Sequence, residues 1–78
     1  MVEAYVFVVV EPNKIDKVGS EIKKIENAKS VKAVTGEFDL VIELDAKDFS
    51  ELSKTIKEKI LSIPGVIKTS TSVVIETY

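Results

Sequence analysis

The sequence predicts an α+β fold of order βαββαβ: a ferredoxin-like sandwich with a four-stranded antiparallel sheet and two helices on one face. Three observations carry this. Two stretches with apolar residues at spacings of three and four alternate with four stretches rich in β-branched and aromatic residues. The two βαβ halves form a weak internal repeat, in which Ile25 and Val31 recur as Ile60 and Val66 at one common offset. A chain of 78 residues has room for one small domain, and such a domain buries only about 60% of the surface its unfolded chain exposes.

The first strand is VEAYVFVVVE, closed by Pro12, which has no N–H to give to a ladder. NKIDKVGSEIKKIENA follows as an amphipathic helix with Ile15, Val18, Ile22 and Ile25 on one face, Asn13 as the expected N-cap and Asp16 in the first turn. Gly19 inside this helix is expected to mark close helix–sheet packing. SVKAVT and FDLVIELD are two strands flanking Gly36-Glu37, a pair that suits a two-residue type II′ turn. The second helix, DFSELSKTIKEKILSI, is capped by Asp48, presents Phe49, Leu52, Ile56 and Ile60, and stops at Pro64-Gly65. VIKTSTSVVIETY supplies the last strand.

Alternation assigns the faces. Val31, Ala33, Phe38, Leu40, Ile42 and Leu44 fall on one side of the hairpin, expected under the helices, with Val34 and Val41 on the other. The first strand is apolar on both sides: Val6, Val8 and Val10 on one, Tyr5, Phe7 and Val9 on the other. A strand of that kind needs two covers, and the chain supplies one. The sequence therefore predicts a dimer interface over Tyr5, Phe7, Val9, Val34 and Val41, covered by a second subunit.

Composition narrows the function. With no Cys and no His, the chain lacks a disulfide, a zinc staple, a thiol nucleophile and a Ser-His triad, so neither a catalytic residue nor a metal or cofactor site is assigned. The carboxylates Glu37, Asp39, Glu43 and Asp45 are spread along the third strand, where Glu43 and Asp45 suit cross-strand pairing with Lys32 and Lys29. A net charge of −2 and the absence of arginine argue against direct nucleic-acid binding. No run of residues approaches the about 20 apolar residues of a membrane span, and the expected location is the cytoplasm. Glu37 and Asp39 stand apart because they flank Gly36, where backbone groups can approach a ligand. The Thr69-Ser70-Thr71-Ser72 run offers hydroxyl donors. From spacing alone, a turn aspartate bonding its own backbone and ordinary strand threonines are the favoured readings of the two features.

VKAVTGEFDLVIEL, followed after a helix by IPGVIKTSTSVVI, resembles the ligand-sensing RAM domain of the Lrp/AsnC feast/famine regulators, through a G-x-[YF]-D hairpin and a P-G-V-x-[RK]-T-x-T strand opening. The resemblance spans essentially residues 1–78 as a single effector-binding and oligomerisation domain. It implies a free amino acid held between neighbouring dimers of a ring, with dimers formed through the sheet faces. Gly36 and its backbone would bind the effector's main-chain groups and Asp39 its ammonium. Thr69 and Thr71 would help hold the carboxylate or side chain, and Glu37 would set side-chain preference. Phe38 stands where the family commonly has Tyr, and Lys68 where it has Arg, which removes a phenol and a guanidinium as contacts. The first strand begins almost at Met1, so the resemblance is to a stand-alone module without a helix-turn-helix to read an operator, and the role it implies is expected to be sensing an amino acid, with co-assembly with full-length regulators as a further option. The competing readings are a small dimeric α+β-barrel enzyme, whose fold also pairs sheets face to face but for which His and a converging acid/base pair are missing, and a purely structural assembly domain that binds nothing; an ACT-type regulatory domain shares the order of elements.

Overall fold

The computed structural model describes all residues, 1–78. Strand β1 (Val2–Val10) leads through a 3₁₀ turn (Pro12–Lys14) into helix α1 (Ile15–Lys23), then come strands β2 (Ala28–Ala33) and β3 (Leu40–Ala46), helix α2 (Phe49–Thr55) and strand β4 (Val66–Val73). The sheet is antiparallel in the order β2-β3-β1-β4, with β1 pairing β3 from Val2↔Ala46 to Val8↔Leu40 and β4 from Ala4↔Val73 to Val10↔Val66. This is the ferredoxin-like topology expected from the sequence.

One face of β1 and β3 is sealed. Ala4, Val6 and Val8 with Ile42 and Leu44 are fully buried and meet Val18 and Ile22 of α1 and Leu52 and Ile60 from the second helical segment. The facing residues of β1 are not sealed: Tyr5 is 42% exposed, while Phe7, Val9 and Val41 are half-buried. The molecule is 17 Å thick along its shortest axis, one sheet and one helix layer. Its accessible surface, 5260 Å², exceeds the roughly 4,700 Å² that surface scaling gives for a compact 8.6 kDa monomer. No helix is long and apolar enough to cross a membrane.

Several local expectations are corrected. Asn13 caps nothing: Pro12 starts a 3₁₀ turn in which the Lys14 N–H donates to Glu11 O (2.9 Å), placing Asn13 inside the turn, and α1 begins at Ile15 without a side-chain cap. Asp48 does cap α2, accepting from the Glu51 N–H at 2.9 Å. Phe49 leaves the apolar stripe at 65% exposure, because it occupies the first helical position just past that cap, and buried Thr55 takes a place in the stripe. The helix then widens into one π turn (Ile56–Ile60), closed by Leu61 N–H to Ile56 O at 2.8 Å, which keeps Ile60 on the core. Strand β4 ends at Val73, opposite Ala4, short of the run to Tyr78 expected for the last strand. The last bond is Val74 N–H to Glu3 O, and Ile75 is 93% exposed.

Gly65 has φ 106°, and a Cβ there would sit 3.1 Å from the Lys14 Cβ, so both its backbone and its surroundings require glycine. Gly19 is different. The nearest atom to a Cβ built on it is Leu40 Cδ2 at 3.8 Å, an ordinary contact, so close packing does not explain it. Gly19→Ala is therefore expected to raise stability by about 0.5–1 kcal/mol, read as a higher urea midpoint at unchanged slope. A lower midpoint would show that the site is tighter than its 3.8 Å clearance.

Candidate functional site

The chain between β2 and β3 turns as a wider loop than the two-residue II′ hairpin expected. The ladder closes at Ala33↔Leu40, and beyond it the Val34 N–H donates to Asp39 O at 2.9 Å, leaving Thr35–Phe38 as the loop. Gly36 sits in it at φ 105°, with nothing within 4 Å of where a Cβ would lie. The glycine is required by conformation, and its backbone stands open to solvent. Glu37 beside it is exposed.

Phe38 breaks the strand alternation. It does not join the helix face; its ring centroid lies 5.4 Å from that of Phe7 on the bare face. The loop reverses the side-chain sequence before β3 begins at Leu40, and period-two counting back from Leu40 assigns Phe38 to the wrong side.

Asp39 is held by three hydrogen bonds. Its N–H donates to Val8 O (2.9 Å), its carbonyl accepts from Val34, and its carboxylate Oδ2 accepts from the Val10 N–H at 2.8 Å. Pairing of β1 with β3 stops at Val8, so the carboxylate continues the ladder for a donor that β3 no longer reaches. Asp39 is half-buried, and its Oδ1 makes no hydrogen bond within the chain.

Thr69 and Thr71 lie opposite Val8 and Val6, which puts them on the helix side of the edge strand β4; Ser70 and Ser72, opposite Phe7 and Tyr5, share the bare face. Thr69 is half-buried and Thr71 exposed. Leu40, Val8 and Thr69 form one row across the sheet. The Gly36–Asp39 loop and Thr69 thus lie at the same end of the sheet but about 10 Å or more apart, with β1 between them. A single chain does not bring the five expected effector contacts together. The five expected interface residues, Tyr5, Phe7, Val9, Val34 and Val41, remain uncovered or half-covered; Phe38 joins them, unforeseen from the sequence.

A surface concavity of about 620 Å³ is at the opposite end of the sheet, lined by Asn27, Asp45, Glu51, Thr55 and Lys59 among others. Its floor is structural. Asn27 Nδ2 donates to Asp45 O (2.9 Å) and to the Thr55 hydroxyl (3.3 Å), and Asn27 O accepts from the Asp45 N–H. Lys29 Nζ lies 3.2 Å from Asp45 Oδ2, and the Asp45 hydrogen bond and charge, with Glu43 and Glu3, hold the Lys29 pKa above its usual value. Glu43 accepts from the Ser30 hydroxyl at 3.5 Å, whereas Lys32 faces Val41 and has no acidic partner.

These features define a class: a ferredoxin-like sandwich whose polar groups lie on its margins, with one sheet face left bare. The chain belongs to the Lrp/AsnC ligand binding domain family, whose model matches residues 3–78. It is 33% identical over 75 residues to the HTH-type transcriptional regulator FL11 of Pyrococcus abyssi, covering 96% of this chain and 49% of the regulator. The chain thus spans about half the length of the curated relatives it matches. Among solved structures it superposes on TTHA0845 from Thermus thermophilus with a TM-score of 0.96 and 32% identity, covering 100% of this chain and 98% of that one. It shares its fold with the transcriptional regulator NMB0573 of Neisseria meningitidis, solved as an L-Met complex, at TM-score 0.89 and 22% identity over 96% of this chain and 50% of that one.

Asp39→Ala is expected to destabilise the fold by about 1 kcal/mol by stranding the Val10 N–H, and Asp39→Asn, which keeps a side-chain oxygen acceptor, by much less. Denaturant titration of both separates the roles; equal losses would mean that the negative charge, and not the acceptor, matters to folding.

Proposed function

We propose that this chain is an amino-acid effector-binding and oligomerisation module, a single domain over residues 1–78 acting in the cytoplasm in the regulation of transcription or amino-acid metabolism. What supports the reading most is the match of residues 3–78 to a ligand binding domain. The L-Met complex of a protein with the same fold supports a free amino acid as the effector class.

The geometry agrees with a site between subunits. The Gly36 loop of one subunit offers backbone groups and the free Oδ1 of Asp39 for an ammonium. Thr69 and Thr71 of another offer hydroxyls for the carboxylate or side chain, and Glu37 tunes side-chain preference. Closing the bare face over Tyr5, Phe7, Val9, Val34 and Val41 makes the dimer, and contacts between dimers then make the ring. Full-length Lrp/AsnC regulators, which carry the same kind of domain, are the partners for co-assembly.

Isothermal titration with the standard amino acids at two protein concentrations tests this. One or a few should bind saturably at about one site per subunit, with an affinity that depends on protein concentration because assembly and binding are linked. Asp39→Asn should remove the binding without unfolding the chain; unaltered affinity would sink the assignment of Asp39. If none of the amino acids binds, the effector reading fails and an assembly domain remains.

Phe7→Asp should convert the assembly to monomers by placing an unpaired charge in the covered face, measured by sedimentation velocity. A dimer of native stability would mean that the subunits meet elsewhere.

A further inference from the structure

The concavity of about 620 Å³ at the Asn27 end of the sheet shares no residue with the effector contacts. One of its walls is a side-chain amide held from two sides. Asn27 Nδ2 donates to Asp45 O at 2.9 Å and to the Thr55 hydroxyl at 3.3 Å, so both of its protons are committed within the chain. Donation to a carbonyl fixes which end of the amide is nitrogen. The other end, Oδ1, accepts nothing from the chain and is not closed off from solvent.

Thr55, which also lines the concavity, is the one buried polar residue of the molecule. Its oxygen is taken by Asn27, but its proton has no acceptor. Ser62 donates its hydroxyl proton to Glu58 O, four residues back, at 2.6 Å; Thr55 makes no corresponding bond to Glu51 O. Side by side, Asn27 and Thr55 offer one acceptor and one donor. That is the complement of a peptide group, which has one N–H and one C=O.

Charge is laid out around this pair. Glu51, Thr55 and Lys59 follow one another at steps of four residues along α2 and its π turn, and all three line the concavity. Glu51 and Lys59 are exposed, and neither is ion-paired within the chain. Glu51 Oε1 accepts from the Lys47 N–H at 2.7 Å, which leaves Oε2 unused. A rise of 1.5 Å per residue sets the Cα atoms of Glu51 and Lys59 about 12 Å apart, with Thr55 midway. No three carboxylates are grouped so as to hold a metal ion.

We propose that this concavity binds a short linear peptide of two or three residues, its ammonium at Glu51, its carboxylate at Lys59, and an amide between them on Asn27 Oδ1 and the Thr55 hydroxyl. A free amino acid carries both charges on one carbon and cannot reach both ends of the row. An extended tripeptide spans about 10 Å at 3.3–3.6 Å per residue, which matches it. Asn27 is already fixed by the fold, so binding spends nothing on ordering it.

Titration of the isotope-labelled chain with Ala-Ala-Ala, followed on the side-chain amide signals in nitrogen–proton correlation spectra, reads this directly. The sequence has no Gln, and Asn13 and Asn27 are its only asparagines, so each pair of signals is assignable. The Asn27 pair should shift saturably, with a dissociation constant of about 0.1–1 mM, while the Asn13 pair stays still. Alanine, and trialanine blocked by acetyl and amide groups, should leave Asn27 unmoved. Glu51→Gln, which keeps an acceptor for the Lys47 N–H, and Lys59→Gln should each raise the dissociation constant about two- to fivefold at an unchanged urea midpoint. Asp39→Asn should leave peptide binding as it is. Loss of the peptide shift in that variant would place the peptide in the effector site and overturn the proposal. No shift at about 10 mM peptide, or a shift that alanine reproduces, overturns it as well. Unchanged affinity in both charge variants rejects the assignment of the peptide's two ends.

Discussion

The interior position of β1 in the sheet, between β3 and β4, is the constraint on which the rest depends. Ala4, Val6, Val8 and Val10 carry the core on one side, and Tyr5, Phe7 and Val9 present an apolar row on the other. A βαββαβ chain of this length has two helices, and both lie on the first side. Only 13 of 78 residues are buried, so the helix layer takes up little more than the strand residues directly beneath it. The uncovered row is the same strand seen from behind, and no change in the helices could close it.

The β2–β3 loop ties that bare face to the margin where ligand-type groups collect. Adjacent residues point to different tasks: Phe38 lies against Phe7, and Asp39 holds the last donor of β1. The Gly36 backbone at φ 105° lets the loop be wide enough to do both. At the other end of the sheet Asn27 plays a comparable part, joining β3 to buried Thr55 of α2, and the acidic side chains beyond Tyr5 lie toward that same end. The sheet is thus pinned by a side chain at each end and polar along its rims.

Much of this is legible in the sequence because it follows from periodicity. The spacing of Val18 and Ile22, and of Leu52 and Ile60, locates the helices; the alternation of β1 and β3 identifies the buried face residue by residue; and Asp48, three residues before Glu51, marks a cap that the structure contains. Sequence reasoning fails where the chain departs from a regular period. Phe38 escapes it because the loop reverses direction before β3. Phe49 escapes it because the apolar stripe does not extend to the first helical position, and Asn13 because a 3₁₀ turn intervenes after Pro12. Asn27 carries no signal, since a lone asparagine before a strand reads as any turn residue.

The candidate site divides along the same line. Gly36 in the left-handed region and the family motifs around it are local, and a local stretch of sequence encodes them. That Asp39 caps the end of β1, and that Thr69 and Thr71 lie on the helix side with β1 between them and the loop, are both decided by register. Sequence alone determined the elements, their order and the faces of the regular strands, because hydrophobic period is a property of neighbours along the chain. Only the tertiary structure decided which margins meet, because pairing between strands far apart in the chain depends on where each ladder stops, and no local period records that.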